Sequence, residues 1–228
     1  MKKLTNSKRA IIIITYFLSN QIASNVINLL ADQRVITGLN QLVYIQFFVM
    51  LFIALFYLGL LWRELMVDIA VAKYNKKFFI ICLKYFGYAF LTVIVMSFIL
   101  NLLGVSEQPL NQVGVESMAL IHPIVIFFTV VILAPIIEEI VFRMAMIVLD
   151  SPSTFVTLFI SSFVFGFVHI SGAIAMGNFQ EMWFILIYGG LGAVLGLSYV
   201  RTKSIMTPIV VHALYNLMGF LSILLANG

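Results

Sequence analysis

The chain is dominated by apolar runs about as long as a lipid bilayer is thick. A helix needs about 20 consecutive apolar residues to cross roughly 30 Å of hydrocarbon. Seven segments meet that requirement: Ala10–Leu30, Gln41–Trp62, Phe78–Leu103, Met118–Leu149, Ser153–Met176, Met182–Val200 and Ser204–Ala226. The fourth holds 32 residues, which at about 1.5 Å each would reach about 48 Å, too far for one crossing. Pro123 and Pro135 interrupt it, so a short leading segment joined to one spanning helix is expected. The fold class that follows is all-α, a polytopic transmembrane bundle of about seven or eight helices.

Composition closes the alternatives. Of 228 residues, 63% are hydrophobic and 10% are charged, against roughly 25% charged in soluble domains. So few charges cannot cover a water-facing surface, and they exclude a soluble or disordered chain. The one cysteine, Cys82, excludes a disulfide scaffold and reads as core. A pI near 9.2 then needs a membrane explanation rather than a nucleic-acid one.

The basic residues supply that explanation. With the N-terminus in the cytoplasm and seven alternating spans, the cytoplasmic side receives Lys2, Lys3, Lys8, Arg9, Arg63, Lys73, Lys76, Lys77, Lys84, Arg143, Arg201 and Lys203. Only Arg34 falls outside. This is the positive-inside distribution, and anionic lipid head groups are its expected partners. The start of the chain also has the charged and apolar regions of a signal peptide, but no small-residue cleavage site follows, so retention is expected. Gln21, Ser24, Asn25 and Asn28 recur as one polar stripe. Inward packing against other helices is the favoured reading of that stripe, and a border of a peptide-binding cavity is the alternative.

Ionisable groups inside a span are expensive and by default mark function. The run Ala134-Pro135-Ile136-Ile137-Glu138-Glu139-Ile140-Val141-Phe142-Arg143 sets two carboxylates and an arginine in an apolar helix. Glu139 and Arg143 are four apart with the acid first, the favourable order for an ion pair. Glu138 points about 100° away and is left without that partner. Two histidines also lie inside spans: His169 in Phe165-Gly166-Phe167-Val168-His169, and His212 four residues before Asn216. Counted from the cytoplasmic ends, Glu138, His169 and His212 fall at depths of about 16, 24 and 12 Å, compatible with convergence. His122, next to Pro123, lies near an outer end and is not expected to take part. Gly192 and Gly196 have the spacing of close helix packing.

A glutamate, two histidines and an asparagine can act together on a carbonyl. Glu138 with His169 would hold and deprotonate a water, while His212 and Asn216 would donate to the oxyanion formed by attack on an amide. No His-Glu-x-x-His occurs, nor Gly-x-Gly-Asp or Gly-x-Ser-Gly, and Asp32, Asp68 and Asp150 all lie at span ends.

In this respect the sequence resembles the CPBP (CAAX protease and bacteriocin-processing, or Abi) intramembrane endopeptidases, which include the type II CAAX prenyl proteases. Their pattern of Glu-Glu-x-x-x-Arg, Phe-x-x-x-His and His-x-x-x-Asn on successive helices is matched by Glu138-Glu139…Arg143, Phe165…His169 and His212…Asn216. The resemblance covers about Ile121–Leu224. It implies that Glu138 and His169 activate water, that His212 and Asn216 stabilise the oxyanion, and that Glu139 and Arg143 are supporting. It implies no cofactor and no metal, although two histidines and a glutamate keep zinc open.

The expected division is three N-terminal spans over residues 1–116 and a catalytic core over residues 117–228. The expected activity is hydrolysis of a short hydrophobic or membrane-associated peptide, such as a bacteriocin or pheromone precursor or a CAAX-like C-terminus. The expected place is a bacterial plasma membrane. A non-catalytic immunity or scaffold protein and a small ion-coupled transporter are the rival readings.

Overall fold

The computed structural model describes residues 4–36, 38–105 and 107–227. Nine helices make up the described chain: α1 (Asn6–Asp32), α2 (Leu39–Leu60), α3 (Trp62–Tyr74), α4 (Phe78–Leu102), α5 (Leu110–Ile121), α6 (Pro123–Ala145), α7 (Thr154–Ala175), α8 (Ile185–Thr202, entered through a 3-10 turn at Phe179–Phe184) and α9 (Met206–Asn227). No strand occurs among the described residues. Seven helices are long and apolar enough to cross a membrane, and the chain is a multi-pass membrane protein. The other two were hidden in the sequence by their shortness. Residues Met118–Ile121, which read as the start of the fourth span, belong to α5. The charged stretch after the second span forms α3, which buries Leu65 and Asp68 and leaves Trp62, Met66, Val67 and Tyr74 exposed. Such a one-sided helix lies in the membrane interface rather than across it.

The two prolines of the fourth segment behave differently. Pro123 takes the first helical turn of α6, where its missing N–H is no loss. Pro135 does not break the helix. It sits just after a π-helical stretch, Phe127–Leu133, and a second such stretch, Ile140–Ala145, follows the six α-helical residues Ala134–Glu139. The wider π register absorbs the proline that an α-helix would have to kink around.

One end of the bundle gathers the basic residues and is tied shut. The Lys8 ammonium bonds Glu64 at 2.7 Å and the Leu60 carbonyl at 3.0 Å, joining the starts of α1 and α3. Arg9 donates to the Ala145 and Ile147 carbonyls at 2.8 and 3.0 Å, closing the last turn of α6. Lys203 reaches Asp150 at 2.6 Å. The buried Asp68 accepts the Ile205 N–H at 2.8 Å, so α3 holds the start of α9. Arg143, placed with this basic set by its sequence position, is instead completely buried. Lys2 and Lys3 lie outside the described residues. Asp32, Arg34, Glu107, Glu116 and Glu181 mark the opposite end.

Helices α7 and α8 make the closest pair, and glycine is the reason. A Cβ at Gly166 would stand 2.8 Å from the Gly189 nitrogen, and one at Gly192 would stand 3.1 Å from Phe165 Cδ1 and 3.2 Å from the Ser162 carbonyl oxygen. Gly196 meets Leu158 in the same way, at 3.2 Å. The expected small-residue packing is therefore present. By contrast α1 buries only Ile12 and Tyr16, both in its first half, so its far half splays from the bundle. The polar stripe follows that half outward: Gln21, Asn25 and Asn28 are exposed, contrary to inward packing.

Gly166→Ala should destabilise the bundle by about 1–3 kcal/mol through overpacking. Gly172→Ala, in the same helix with nothing within 4 Å of the added Cβ, should be neutral or stabilise by up to about 1 kcal/mol. Titration with SDS followed by circular dichroism separates the two. For Asp68, burial pushes the carboxyl above its ordinary value and the Ile205 N–H only partly opposes that. The native state then keeps this proton to higher pH than the unfolded chain, so stability falls as pH rises from the ordinary aspartate range through the raised native value. Asp68→Asn should remove that slope in pH-dependent unfolding.

Candidate functional site

Three helices place the groups of the site: α6 carries Glu138 and Glu139, α7 carries His169, and α9 carries His212 and Asn216. Between the two π-helical stretches, the α-helical segment of α6 directs Glu138 and Glu139 to separate partners. Glu139 is fully buried; its Oε2 lies 3.1 Å from Arg143 Nε and its Oε1 lies 2.8 Å from His212 Nδ1. The Arg143 guanidinium also donates to the Gly192 carbonyl at 3.1 Å and covers the Phe165 ring at 4.5 Å. A single carboxylate thus fastens α6 to α9, and its arginine fastens α6 to α8 and α7. The ion pair was legible from the spacing; the bond to His212 was not, because it crosses 73 residues.

Glu138 faces the other way. Its Oε2 is 3.9 Å from His169 Nε2 and 3.9 Å from His212 Nε2. That is too long for a direct hydrogen bond. Depths counted from the helix ends spread these three residues over about 12 Å; tilt and packing remove the spread.

The histidine tautomers follow from their second nitrogens. His169 Nδ1 is 2.8 Å from the Phe165 carbonyl, which can only accept, so Nδ1 carries a hydrogen and Nε2 is the nitrogen turned towards Glu138. The His169 ring lies between Phe165, at 4.5 Å, and Tyr188, stacked at 4.7 Å and 23°. His212 Nδ1 faces the Glu139 carboxylate, so it too is a donor.

Asn216 has a partner that the sequence explains in retrospect. In the π register the Ala134 N–H bonds the Thr129 carbonyl, five residues back. The next donor in that register would belong to Pro135, which has none, so the Val130 carbonyl is left without an intrahelical partner. Asn216 Nδ2 supplies one at 2.9 Å. One of its two amide hydrogens is used in this way and the second remains.

Two cavities, of about 380 and 510 Å³, meet at Glu138 and His169. The first runs between α4, α5, α8 and α9 and takes in His212, Asn216 and Tyr188. The second runs along α1 and α2 past Tyr16, Asn20 and Ser24. Gln46, Met50 and Asn111 border both. Ser24 is thus the member of the α1 stripe that reaches a cavity. Sequence reasoning did not find Tyr188, Gln46 or Asn111, since an isolated polar residue in a span carries no motif. His122 stays apart, 3.1 Å from Asn40 and beside Tyr44. No cluster of three or more His, Cys, Asp or Glu arranged to hold a metal ion occurs among the described residues.

Comparison with known proteins bears on the part of this seven-span bundle that carries the glutamate and histidines. Residues 120–218 match the family model for the type II CAAX prenyl endopeptidase Rce1-like proteins, a stretch that contains all three motifs. The resemblance read from those motifs therefore holds over this part of the chain. The UPF0177 protein YaiF of Lactococcus lactis subsp. lactis (strain IL1403) is 36% identical over 122 residues, covering 53% of this chain and 51% of that one. The match spans about half the length of this curated relative. No solved structure matches.

Arg143→Met strands the Glu139 carboxylate in a dry interior and should cost about 3–5 kcal/mol. Arg143→Met combined with Glu139→Gln removes both charges and should lose markedly less than the sum of the single changes. The double-mutant cycle, read by denaturant unfolding, measures that coupling.

Proposed function

We propose that the protein is an intramembrane endopeptidase that hydrolyses a short hydrophobic or membrane-associated peptide with a water activated by Glu138 and His169. The observation that carries this reading is the placement of Glu138 Oε2 at 3.9 Å from two imidazole nitrogens, on the shared border of two cavities. A structural carboxylate in such a place would be closely paired, as Glu139 is at 3.1 Å to Arg143 and 2.8 Å to His212; Glu138 Oε2 stands 3.9 Å from each histidine and makes no hydrogen bond.

The reaction needs no covalent intermediate. A water between Glu138 and His169 gives a proton to the carboxylate as its oxygen attacks the amide carbon, and the carbonyl oxygen becomes an oxyanion. His212 faces this point through Nε2. To donate to the oxyanion it needs a hydrogen on Nε2 while Nδ1 keeps its bond to Glu139. The second amide hydrogen of Asn216 is the other donor. When the C–N bond breaks, Glu138 returns its proton to the departing amine. A metal-free donor set is supported by the 3.9 Å separations, which are wider than the roughly 3.3 Å between neighbouring ligands of a tetrahedral zinc.

The cavities suit a peptide rather than an ion. A scissile segment must be extended, and its exposed N–H and C=O groups need partners inside the membrane. Gln46, Asn111, Asn20 and Ser24 offer amide and hydroxyl groups along otherwise apolar walls. The volumes fall within the usual range for ligand sites, about 300–1,000 Å³.

With a quenched fluorogenic peptide in proteoliposomes, Glu138→Gln and His169→Ala should each lower the rate by about 10²–10⁴, with unfolding midpoints close to that of the unchanged protein. Asn216→Ala should lower the rate by about 10²–10³ as an oxyanion donor. A strong chelator should leave the rate unchanged. Cleavage persisting in both Glu138→Gln and His169→Ala would sink this reading, and loss on chelation restored by zinc would replace the metal-free mechanism.

A further inference from the structure

The two cavities have a direction. Along α2 the first is bordered by Gln46 and Met50 and the second reaches Leu39 and Leu42, at the helix start. Along α5 they meet Asn111 and Gln112, again at its start, and along α9 the first continues to Phe220 and Ile223, near its end. Leu39, Leu42, Asn111, Gln112, Phe220 and Ile223 belong to the end of the bundle marked by Asp32, Glu107, Glu116 and Glu181, while Gln46 and Met50 lie midway along α2. In the other direction both cavities stop at the catalytic groups. Among the described residues, none in 4–15, 54–92, 139–164 or 192–211 lines either one.

What closes the basic end is on the same side of the site. Beneath Glu138 come the Glu139 and Arg143 pair and a layer of buried side chains that includes Leu61, Phe142, Ile147, Tyr199 and Ile205, each with no exposed surface. Below that layer lie the ties from Lys8 to Glu64, Arg9 to the end of α6, and Asp68 to Ile205. Lys8, Arg9, Arg63, Lys73, Lys76, Lys77, Arg201 and Lys203 cluster there, and the positive-inside rule makes this the cytoplasmic end. The far end carries four acidic residues and Arg34.

We infer that the site is reached from the extracytoplasmic face, and that its substrate is an apolar peptide segment presented on that face rather than a lipidated C-terminus in the cytoplasm. The route rests on geometry and charge alone; the word substrate rests on the endopeptidase reading above. The splayed half of α1, which walls the second cavity and buries nothing beyond Tyr16, gives a peptide lying in the outer leaflet a side approach to His169.

The test keeps route and chemistry apart. In a Cys82→Ser background, single cysteines replace Gln112 or Leu42 on the cavity walls and Lys203 at the basic end. A membrane-impermeant maleimide added to intact cells should modify the Gln112 and Leu42 variants at least tenfold faster than the Lys203 variant, which should react only after permeabilisation. The reverse order overturns the route. Proteoliposomes sorted by the same labelling are then given a fluorogenic apolar peptide carrying a charged tag that cannot cross the bilayer. Cleavage is expected when the peptide is on the Gln112 face and not when it is confined to the Lys203 face; cleavage from the Lys203 face alone overturns the inference. Cleavage from neither face removes the endopeptidase reading and with it the substrate, while the labelling still decides the route.

Discussion

Glu139 holds the site together. Its two oxygens face Arg143 on its own helix and His212 on another; Glu139 and Arg143 have no exposed surface, and His212 is buried at the edge of the first cavity. A buried charge pair is a poor source of net stability, because desolvation consumes most of the attraction. What it does supply is uniqueness of arrangement. The Arg143 guanidinium also holds the Gly192 carbonyl and lies over Phe165, so four helices share one charge-balanced knot. The histidine is oriented as a consequence, with Nε2 towards Glu138. Adjacent carboxylates therefore have opposite tasks: one is fully engaged by its neighbours, and the other faces the cavities.

The same division explains which parts of the molecule could be read from the amino-acid order. Apolar length and the distribution of Lys and Arg are properties of single segments, so the seven spans were legible. Glu139 with Arg143, and His212 with Asn216, are one-turn relations within a helix and were legible too. Relations between helices were not. Nothing near Asn216 announces a partner at Val130, and Tyr188 shows no feature that would stack it on His169. The short interfacial helix α3 was obscured because a stretch with Arg63, Glu64, Asp68 and Lys73 looks like a loop beside apolar neighbours. The polar stripe on α1 was legible as a stripe, but its direction depended on how little of α1 packs against the rest.

Backbone chemistry in lipid links these observations. Any N–H or C=O without an internal partner is costly where water is absent. Proline at position 135 creates one such vacancy, π turns redistribute it, and Asn216 fills it. The residue that completes the helix is thereby held at the edge of the cavity. A defect in the hydrogen-bond ladder and a polar group on the cavity that Glu138 borders are one arrangement.

The π stretches of α6 also give this helix a reading frame. An α-helix advances about 100° per residue, and each wide turn adds a residue that the surrounding helix does not count. The acidic pair lies between two such additions, so the phase of Glu138 and Glu139 depends on the stretch before them and that of Arg143 on the stretch after. Winding 127–133 as an α-helix with every residue kept would leave every side chain of the motif intact and turn both carboxylates by about 100° relative to Pro123. The winding of this segment is as much a part of the site as residue identity.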